Sequence, residues 1–446
     1  DKLLYPKLKG SVILILFMLA AVAFTSLSFA KIVGDSKFGQ LRQKTVPESS
    51  REIRRKDSEN NSQLIHIVNT RFMQEQAHLV HLAEARLLLF EAFCLPTMIS
   101  QTIQPNQEDV DSGNANFKFL WIIKTDPNLD PKMIEKLADM LRPYPNFFLV
   151  GSRHNFGIGK KQPGSWRGGE AGADVVSPEA NIYTGDKRLL EEAHENRERK
   201  IVLETRLDAD DGLPSHYLKK IQTKAISVLG NAAEKEKGTP GTPARAKWTI
   251  WCMSESISWY PSVFKDGFKP FVELSTKDPG VAKVEETVGR TSCLTPGMTL
   301  GLAIGESHSS IPTYSHYDLL YELEMNDDTS KNSCGLKHPI DCVRVLVTKA
   351  VRSRTPTSAG MKDLRVNTED MSSEDIAEQW DVLKNKFSIS SEKAAVANRH
   401  IQKNLASILK DNLKGQCTKG HSCKEQNKYL LSAMLNYIDN SDTGPE

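Results

Sequence analysis

Apolar and polar positions fall into blocks that change period along the chain. QLIHIV at 63–68 is a short apolar run of strand type, and residues 79–102 follow helical spacing, with Leu82, Leu89 and Phe93 on one face. FKFLWII at 117–123 is a second strand. Asp130 followed by Pro131 is a helix start, and Ile134, Leu137 and Leu141 continue that helix at helical spacing. NFFLV at 146–150 and KIVLETRL at 200–207 are the third and fourth strands. Pro214 opens a helix with Leu218, Ile221, Ala225 and Val228 on one face, and Gly230 closes it. Strands alternating with helices imply a parallel-type α/β sheet that binds ligands at the carboxyl ends of its strands.

Beyond residue 240 the pattern changes. WTIWCM, SISWYPS and FVELS are short strand-like runs, VRVLVTKAV at 343–351 is a late strand, and the chain after about 370 is polar and helical. The segment 234–246, EKEKGTPGTPARA, has the composition of a surface loop. A long Gly-rich stretch at 157–185 separates the third and fourth strands, and loops of that length in a compact domain are commonly functional.

The N-terminal pattern is different again. Ser11 to Ala30 carries no charge over 20 residues, and Lys2, Lys7 and Lys9 precede it. Such a run spans a bilayer core of about 30 Å, and the positive-inside rule places the chain beyond Lys31 in a lumen. The expectation is a signal anchor. A cleaved signal peptide ending at Ser28-Phe29-Ala30 is the alternative. Residues 31–63 have no apolar period and include the sequon Asn60-Asn61-Ser62.

Composition narrows the classes. Among 446 residues, 58 Lys+Arg balance 56 Asp+Glu for a net charge of +2, which disfavours a nucleic-acid binder. A hydrophobic fraction of 39% disfavours wholesale disorder, and seven cysteines are too few for a disulfide scaffold. Cys334 and Cys342, and likewise Cys417 and Cys423, are close enough in sequence for local disulfides, while Cys94 reads as buried. Cys417, His421 and Cys423 lack a fourth zinc ligand.

The fourth strand ends in Glu204-Thr205-Arg206-Leu207-Asp208-Ala209-Asp210-Asp211-Gly212. In extended backbone Asp208 and Asp210 point to one side, and Gly212 and Pro214 turn the chain there. Three carboxylates at a strand tip repel one another, and a hard divalent cation relieves that repulsion. Asp208, Asp210 and Asp211 are therefore expected to hold Mn²⁺ or Mg²⁺ against a diphosphate. A second candidate is the segment Arg352 to Met361, where Arg352 and Arg354 lie one residue apart beside Thr355, Thr357 and Gly360, suited to diphosphate oxygens.

Four segments carry a family resemblance. Thr70-Arg71-Phe72 after the first strand, the pattern RLxLFExFxLPxxxxQT from Arg86 to Thr102, Phe117 to Ile123 with Trp121, and TRLDADDGL from Thr205 to Leu213 together resemble a rhamnosyl transferase family over roughly 64–361. That family is similar to GT-A glycosyltransferases, whose Asp-x-Asp motif holds a metal bound to a nucleotide-sugar diphosphate. The resemblance implies a Rossmann-related mixed sheet with flanking helices. It also implies a nucleotide pocket at Thr70 and Arg71, donor contacts from Arg206, and a late histidine on the metal, His316 or behind it His308. The Gly-rich 157–185 stretch and the helical tail depart from the family pattern.

The resulting expectation is a metal-dependent glycosyltransferase taking a nucleotide-sugar donor and a glycan or glycoconjugate acceptor. It is a single-pass type II protein of the Golgi or ER with a luminal catalytic domain, and no nucleic acid is involved. Its parts are a cytosolic tail at 1–10, a membrane anchor at 11–30, a flexible stem at 31–63, a GT-A-like domain at 64–361 and a helical extension at 362–446. Asp210, Asp211 and Glu306 are the expected catalytic side chains, and Glu255 is a further candidate base should transfer invert the anomeric centre. The alternatives are a noncatalytic carbohydrate-binding scaffold and a metal-dependent phosphate-ester hydrolase.

Overall fold

The computed structural model describes residues 64–105, 118–152, 181–230, 246–266, 273–286, 293–306, 323, 334, 336, 338–357, 366–369 and 371–417. By internal contacts the chain falls into two units, 1–56 and 57–446, and all described residues lie in the second. Among them no helix is long and apolar enough to cross a membrane. The expected span at 11–30, the stem and its sequon lie outside the described residues.

The unit is a mixed sheet with flanking helices. Strands β1 (Leu64–Phe72), β2 (Leu120–Thr125), β3 (Phe147–Gly151) and β5 (Ile201–Arg206) run parallel in the order β3-β2-β1-β5. Strand β4 (Asn181–Ile182) adds antiparallel to β3. Beyond β5 the sheet turns antiparallel through β8 (Leu294–Leu302), β6 (Trp248–Tyr260) and β7 (Val281–Glu286). The last strand, β9 (Val343–Ser353), runs parallel to β6.

The parallel strands are apolar on both faces, as a sheet covered on both sides requires. One face packs under α1 (Val80–Leu89), α2 (Leu95–Ile99), α3 (Pro131–Leu141) and α5 (Tyr217–Leu229), with Val68, Trp121, Leu149 and Leu203 in that core. The other face packs Ile65, Ile67, Ile122, Phe148 and Val150 against Leu190 of α4 (Lys187–Glu195). The change of face follows from topology. Successive crossovers step from β1 to β3 in one direction, and the return to β5 reverses it, so a right-handed connection puts α4 on the opposite side. Asp130 caps α3 as its sequence implies, accepting from the N–H groups of Lys132 and Met133 at 2.9 and 3.2 Å.

Between α1 and α2 the helix widens into one π turn, Phe90–Cys94, with Pro96 just beyond it. A π turn shifts the hydrogen-bond register locally, and such turns recur beside functional sites. Three C-terminal helices, α6 (Ser373–Phe387), α7 (Ser391–Lys403) and α8 (Leu405–Cys417), complete the unit. They are built into it rather than appended at residue 362. Asp411 of α8 accepts the N–H groups of His81 and Leu82 at 2.9 and 3.3 Å and so caps α1, which has no cap of its own. Lys393 of α7 lies 3.2 Å from Glu91, and Asn398 accepts the Ser262 N–H at 3.0 Å.

Beneath α5 a hydrogen-bonded relay crosses three strands. Gln222 Nε2 lies 3.3 Å from His66 Nδ1 and also donates to the Lys118 carbonyl at 2.7 Å. His66 Nε2 lies 2.8 Å from Thr205 Oγ1, which lies 2.7 Å from Thr299 Oγ1, and Thr299 donates to the Gly297 carbonyl at 3.0 Å. The Tyr217 hydroxyl donates to the same carbonyl. An amide nitrogen only donates, so Nδ1 is the acceptor and Nε2–H the donor of His66. Burial pushes the His66 pKa down to about 3, so the ring is neutral.

Two disulfides lie in the β6–β8–β9 half. Cys334–Cys342 is the local pair that spacing allowed, and Cys252–Cys293 joins β6 to the segment before β8. Cys94 is free and buried, and His421 and Cys423 lie outside the described residues.

Candidate functional site at the carboxyl ends of the parallel strands

The chain leaves β1 for β2 on one side and reaches β5 on the other. The crevice outside the carboxyl ends of β1 and β5 is therefore the topological switch point of the parallel half, the place where open α/β sheets bind ligands. In register, Asn69 of β1 pairs with Arg206 of β5, and Arg71 pairs with Lys124 of β2. Side-chain alternation puts Asn69, Arg71, Lys124, Glu204 and Arg206 on one face. Lys124 and Glu204 are almost fully buried there, and the Asn69 side-chain oxygen Oδ1 has no hydrogen-bond partner among the described residues.

The turn after β1 is strained. Met73 and Glu75 take φ values of 51° and 61°, in the left-handed region that non-glycine residues seldom enter. This fold of the loop sends Gln74 Nε2 to the Ser152 carbonyl at the end of β3, at 2.8 Å. It also brings Gln76 Oε1 within 2.7 Å of Arg86 Nη1. Arg86, near the end of α1, donates as well to the Thr357 carbonyl at 2.6 Å and so ties the helix to the segment after β9.

The Asp segment is held between α2 and β9. Gly212 and Val351 exchange two backbone hydrogen bonds of 3.0 and 2.9 Å. A Cβ on Gly212 would stand 2.9 Å from Thr97 Cγ2 and 3.2 Å from the Phe93 carbonyl oxygen, so the close approach to the π turn requires glycine. Leu207 is buried, as extended alternation demands if Arg206 and Asp208 share the open face. Arg206 Nη2 lies 3.7 Å from Asp208 Oδ1.

The three carboxylates do not act alike. Asp208 stays partly exposed. Asp210 accepts from Ser353 Oγ at 2.9 Å, and Asp211 accepts from the Ser353 N–H at 3.2 Å. Burial pushes the Asp210 carboxyl up; Arg86 opposes that and Asp208 adds to it. Burial and the neighbouring Asp210 and Asp208 push Asp211 well above the ordinary range, against the pull of Arg352. Asp211 is thus a buried clasp on β9, and among the described residues no three His, Cys, Asp or Glu side chains converge on one metal position.

The premise of three uncompensated carboxylates therefore needs correction. Arg86 acts on Asp210 and Asp208, Arg71 and Arg206 on Asp208, and Arg352 on Asp211, so four guanidinium groups face three carboxylates. No site role for Arg86 is expected from the sequence. Its signal there is a basic residue between Leu82 and Leu89 on an otherwise apolar helix face.

Other expected residues fall elsewhere. Thr70 is fully buried and accepts from Trp121 Nε1 at 2.9 Å, a core hydrogen bond on the face away from Arg71. Arg354 is held by Glu285 at 2.9 Å and by Ser258 at 3.3 Å in the β6–β7–β9 wall. Burial pushes Glu285 upward, but donors from Ser258 and Tyr260 and the Arg354 charge outweigh it and hold the carboxyl below its usual value. Arg352 and Arg354 do share a face, yet they serve different carboxylates, so they do not form a joint clamp. Glu306 follows β8, whose Leu302 pairs with Val202 at the start of β5, and a turn holds it to Ala303. That places it at the opposite end of the sheet, roughly 20 Å from Asp208 at about 3.3 Å per residue. It is not a base for this tip. Glu255 pairs with Lys349 at 3.5 Å within the sheet. His308 and His316 lie outside the described residues.

No protein-family model matches this chain, and no curated protein matches it. The crystal structure of S. aureus TarS is similar to 82% of the chain at 13% sequence identity and a TM-score of 0.26. The chain spans 46% of TarS, under half of that protein's length. At that TM-score the likeness carries no argument for fold or activity, which rest on the topology and side chains described above.

Proposed function

We propose that the chain is a glycosyltransferase whose nucleotide-sugar donor binds at the β1–β5 switch point. The observation that carries this reading is the set of arginines, Arg71, Arg86 and Arg206, gathered around Asp208 and Asp210 at the carboxyl ends of two parallel strands. Arg71 and Arg206 are placed to bind diphosphate oxygens, where charge-assisted hydrogen bonds are strong and directional. Arg86, fixed by Gln76 and Thr357, holds the Asp segment in position and offsets its charge. Together they stabilise the negative charge that develops on the leaving nucleoside diphosphate.

Two carboxylates, Asp208 and Asp210, suit a Mn²⁺ or Mg²⁺ ion that takes its remaining ligands from phosphate and water. Such an ion, when bound, supplies Lewis-acid stabilisation of the diphosphate. Asp211 stays in its clasp. The acceptor in this reading is a glycan or glycoconjugate. The two disulfides support an oxidising, luminal compartment of the secretory pathway, in agreement with the uncharged run at 11–30 as an anchor. The rhamnosyl family resemblance makes a deoxyhexose donor the first to test.

Calorimetric titration with UDP, GDP and dTDP, each in Mn²⁺ and in EDTA, tests the reading. At least one nucleoside diphosphate is expected to bind, to lose about tenfold or more in affinity in Arg71→Ala or Arg206→Ala, and to weaken in EDTA and in Asp208→Asn. Absence of binding by all three, or binding indifferent to both arginines, ends the proposal. Binding unchanged by EDTA removes the cation from it.

A further inference from the structure

A second concave site lies away from the Asp tip. It is a cleft of about 460 Å³ between the turn leading into β7 and the first turns of the apolar face of α6. That volume falls within the range of small-molecule sites, about 300–1,000 Å³. Trp380 and Ile376, one helical turn apart on α6, form its apolar wall. Asp266, Glu273, Asp278 and Lys265 also line it.

Each group constrains the ligand. The Trp380 Nε1–H is sealed from solvent and has no hydrogen-bond partner among the described residues, so the indole offers the cleft its ring and not its N–H. The three carboxylates do not converge on one point, which disfavours a bound cation and suits acceptors spread over several hydroxyl donors. They outnumber the one lysine, which disfavours anionic ligands. Two carboxylates are fixed in place: Asp266 accepts from the Thr368 N–H and hydroxyl at 2.7 and 2.9 Å, and Asp278 from the Gly280 N–H at 2.9 Å. An indole and aliphatic wall with fixed, dispersed acceptors matches a neutral sugar, whose C–H face is apolar and whose rim donates hydrogen bonds.

The position relative to the tip gives the site a role. Trp259 of β6 is in register with Ser353, whose hydroxyl holds Asp210, and Ser262 of the cleft follows three residues later. Three residues of chain cover roughly 10 Å. We propose that this cleft binds neutral sugar residues of the acceptor glycan, a saccharide unit or two beyond the reacting hydroxyl. The proposal rests on the glycosyltransferase reading for its role, while sugar binding in the cleft stands on the cleft's own chemistry.

The test is binding of the full chain to an array of neutral oligosaccharides, with hits measured in solution by calorimetry. At least one neutral glycan is expected to bind. Its affinity should fall about tenfold or more in Trp380→Ala and by no more than about threefold in Trp380→Phe, which keeps an aromatic ring. Glu273→Ala alters an exposed side chain and avoids any folding question; it should weaken the same glycan measurably. UDP, GDP and dTDP binding should be unchanged in all three variants. Arg71→Ala should leave glycan affinity within about twofold of the parent. Failure of every neutral glycan to bind overturns the cleft, as does binding indifferent to both Trp380 and Glu273. Glycan binding without any nucleoside diphosphate binding upholds the cleft and removes the transferase reading instead.

Discussion

The relay beneath α5 makes acid stability calculable. His66 is neutral in the folded chain because burial pushes its pKa to about 3, against an ordinary value near 6.5. Protonation would add a hydrogen at Nδ1, facing the Gln222 amide nitrogen. That amide cannot turn its oxygen toward the ring, because its nitrogen also serves the Lys118 carbonyl. The sign comes from linkage. The unfolded chain takes up a proton as pH falls below about 6.5 and the folded chain does not until about 3, so stability is present above 6.5 and is lost through the window between. Each pH unit in that window costs about 1.4 kcal/mol, so moving from pH 8 to pH 5 removes about 2 kcal/mol through this one group. Urea unfolding of the parent and of His66→Asn at both pH values isolates the term, since the other titrating groups contribute equally to both proteins. The parent should lose about 2 kcal/mol more than the variant over that interval. Equal losses, to within about 0.5 kcal/mol, would refute the buried neutral relay.

Gly212→Ala should destabilise by about 1–3 kcal/mol through its collision with Thr97, and Thr97→Ser in the same chain should recover part of that; thermal unfolding of the two single variants and the double variant decides it, and additive effects would refute the contact. Asp411→Ala should lower stability by about 1–2 kcal/mol because α1 loses its only side-chain cap among the described residues, whereas a change under about 0.3 kcal/mol would mean that solvent caps the helix as well. Opening Cys252–Cys293, with 41 residues of separation, should cost about 4 kcal/mol against about 2.6 kcal/mol for Cys334–Cys342 with 8, and the reverse order in unfolding of the two Cys→Ser pairs would contradict the loop-entropy account.

The parallel half was legible because its signals are local. Runs such as NFFLV and KIVLETRL overlap β3 and β5 within a residue, and Asp130-Pro131 marked the start of α3. The antiparallel half was less so. WTIWCM and SISWYPS looked like two runs, yet they form one strand, β6, because separate partners pair along its length and a bulge near Met253 absorbs the change. No strand was expected at 294–302, which is β8; Gly297 sits in it with φ 76°, where Met253 and Leu213 leave no space for a Cβ. FVELS is not a strand over its described residues, and β7 begins six residues later. At the site, Leu207 is buried and Arg206 lies on the same side as Asp208, the ordinary result of two-residue alternation. Of the four arginines around the carboxylates only Arg86 was invisible, because it comes from a helix more than a hundred residues earlier. The same long-range pairing took Arg354 away to Glu285, a residue that carries no signal of its own.

The cap on α1 also sets a timetable. Asp411 reaches back across 330 residues to complete a helix that follows the first strand. At a synthesis rate of about 5–20 residues per second, the start of α1 waits roughly 15–70 s for its last hydrogen-bond acceptor. During that interval β1, α1 and β2 exist as a nascent segment whose apolar helix face, including Leu82, Ala85 and Leu89, has no C-terminal helices to lie against. Ribosome-bound chains arrested before residue 405 should therefore remain protease-sensitive around Val80, and release past residue 417 should bring protection there in a single late step.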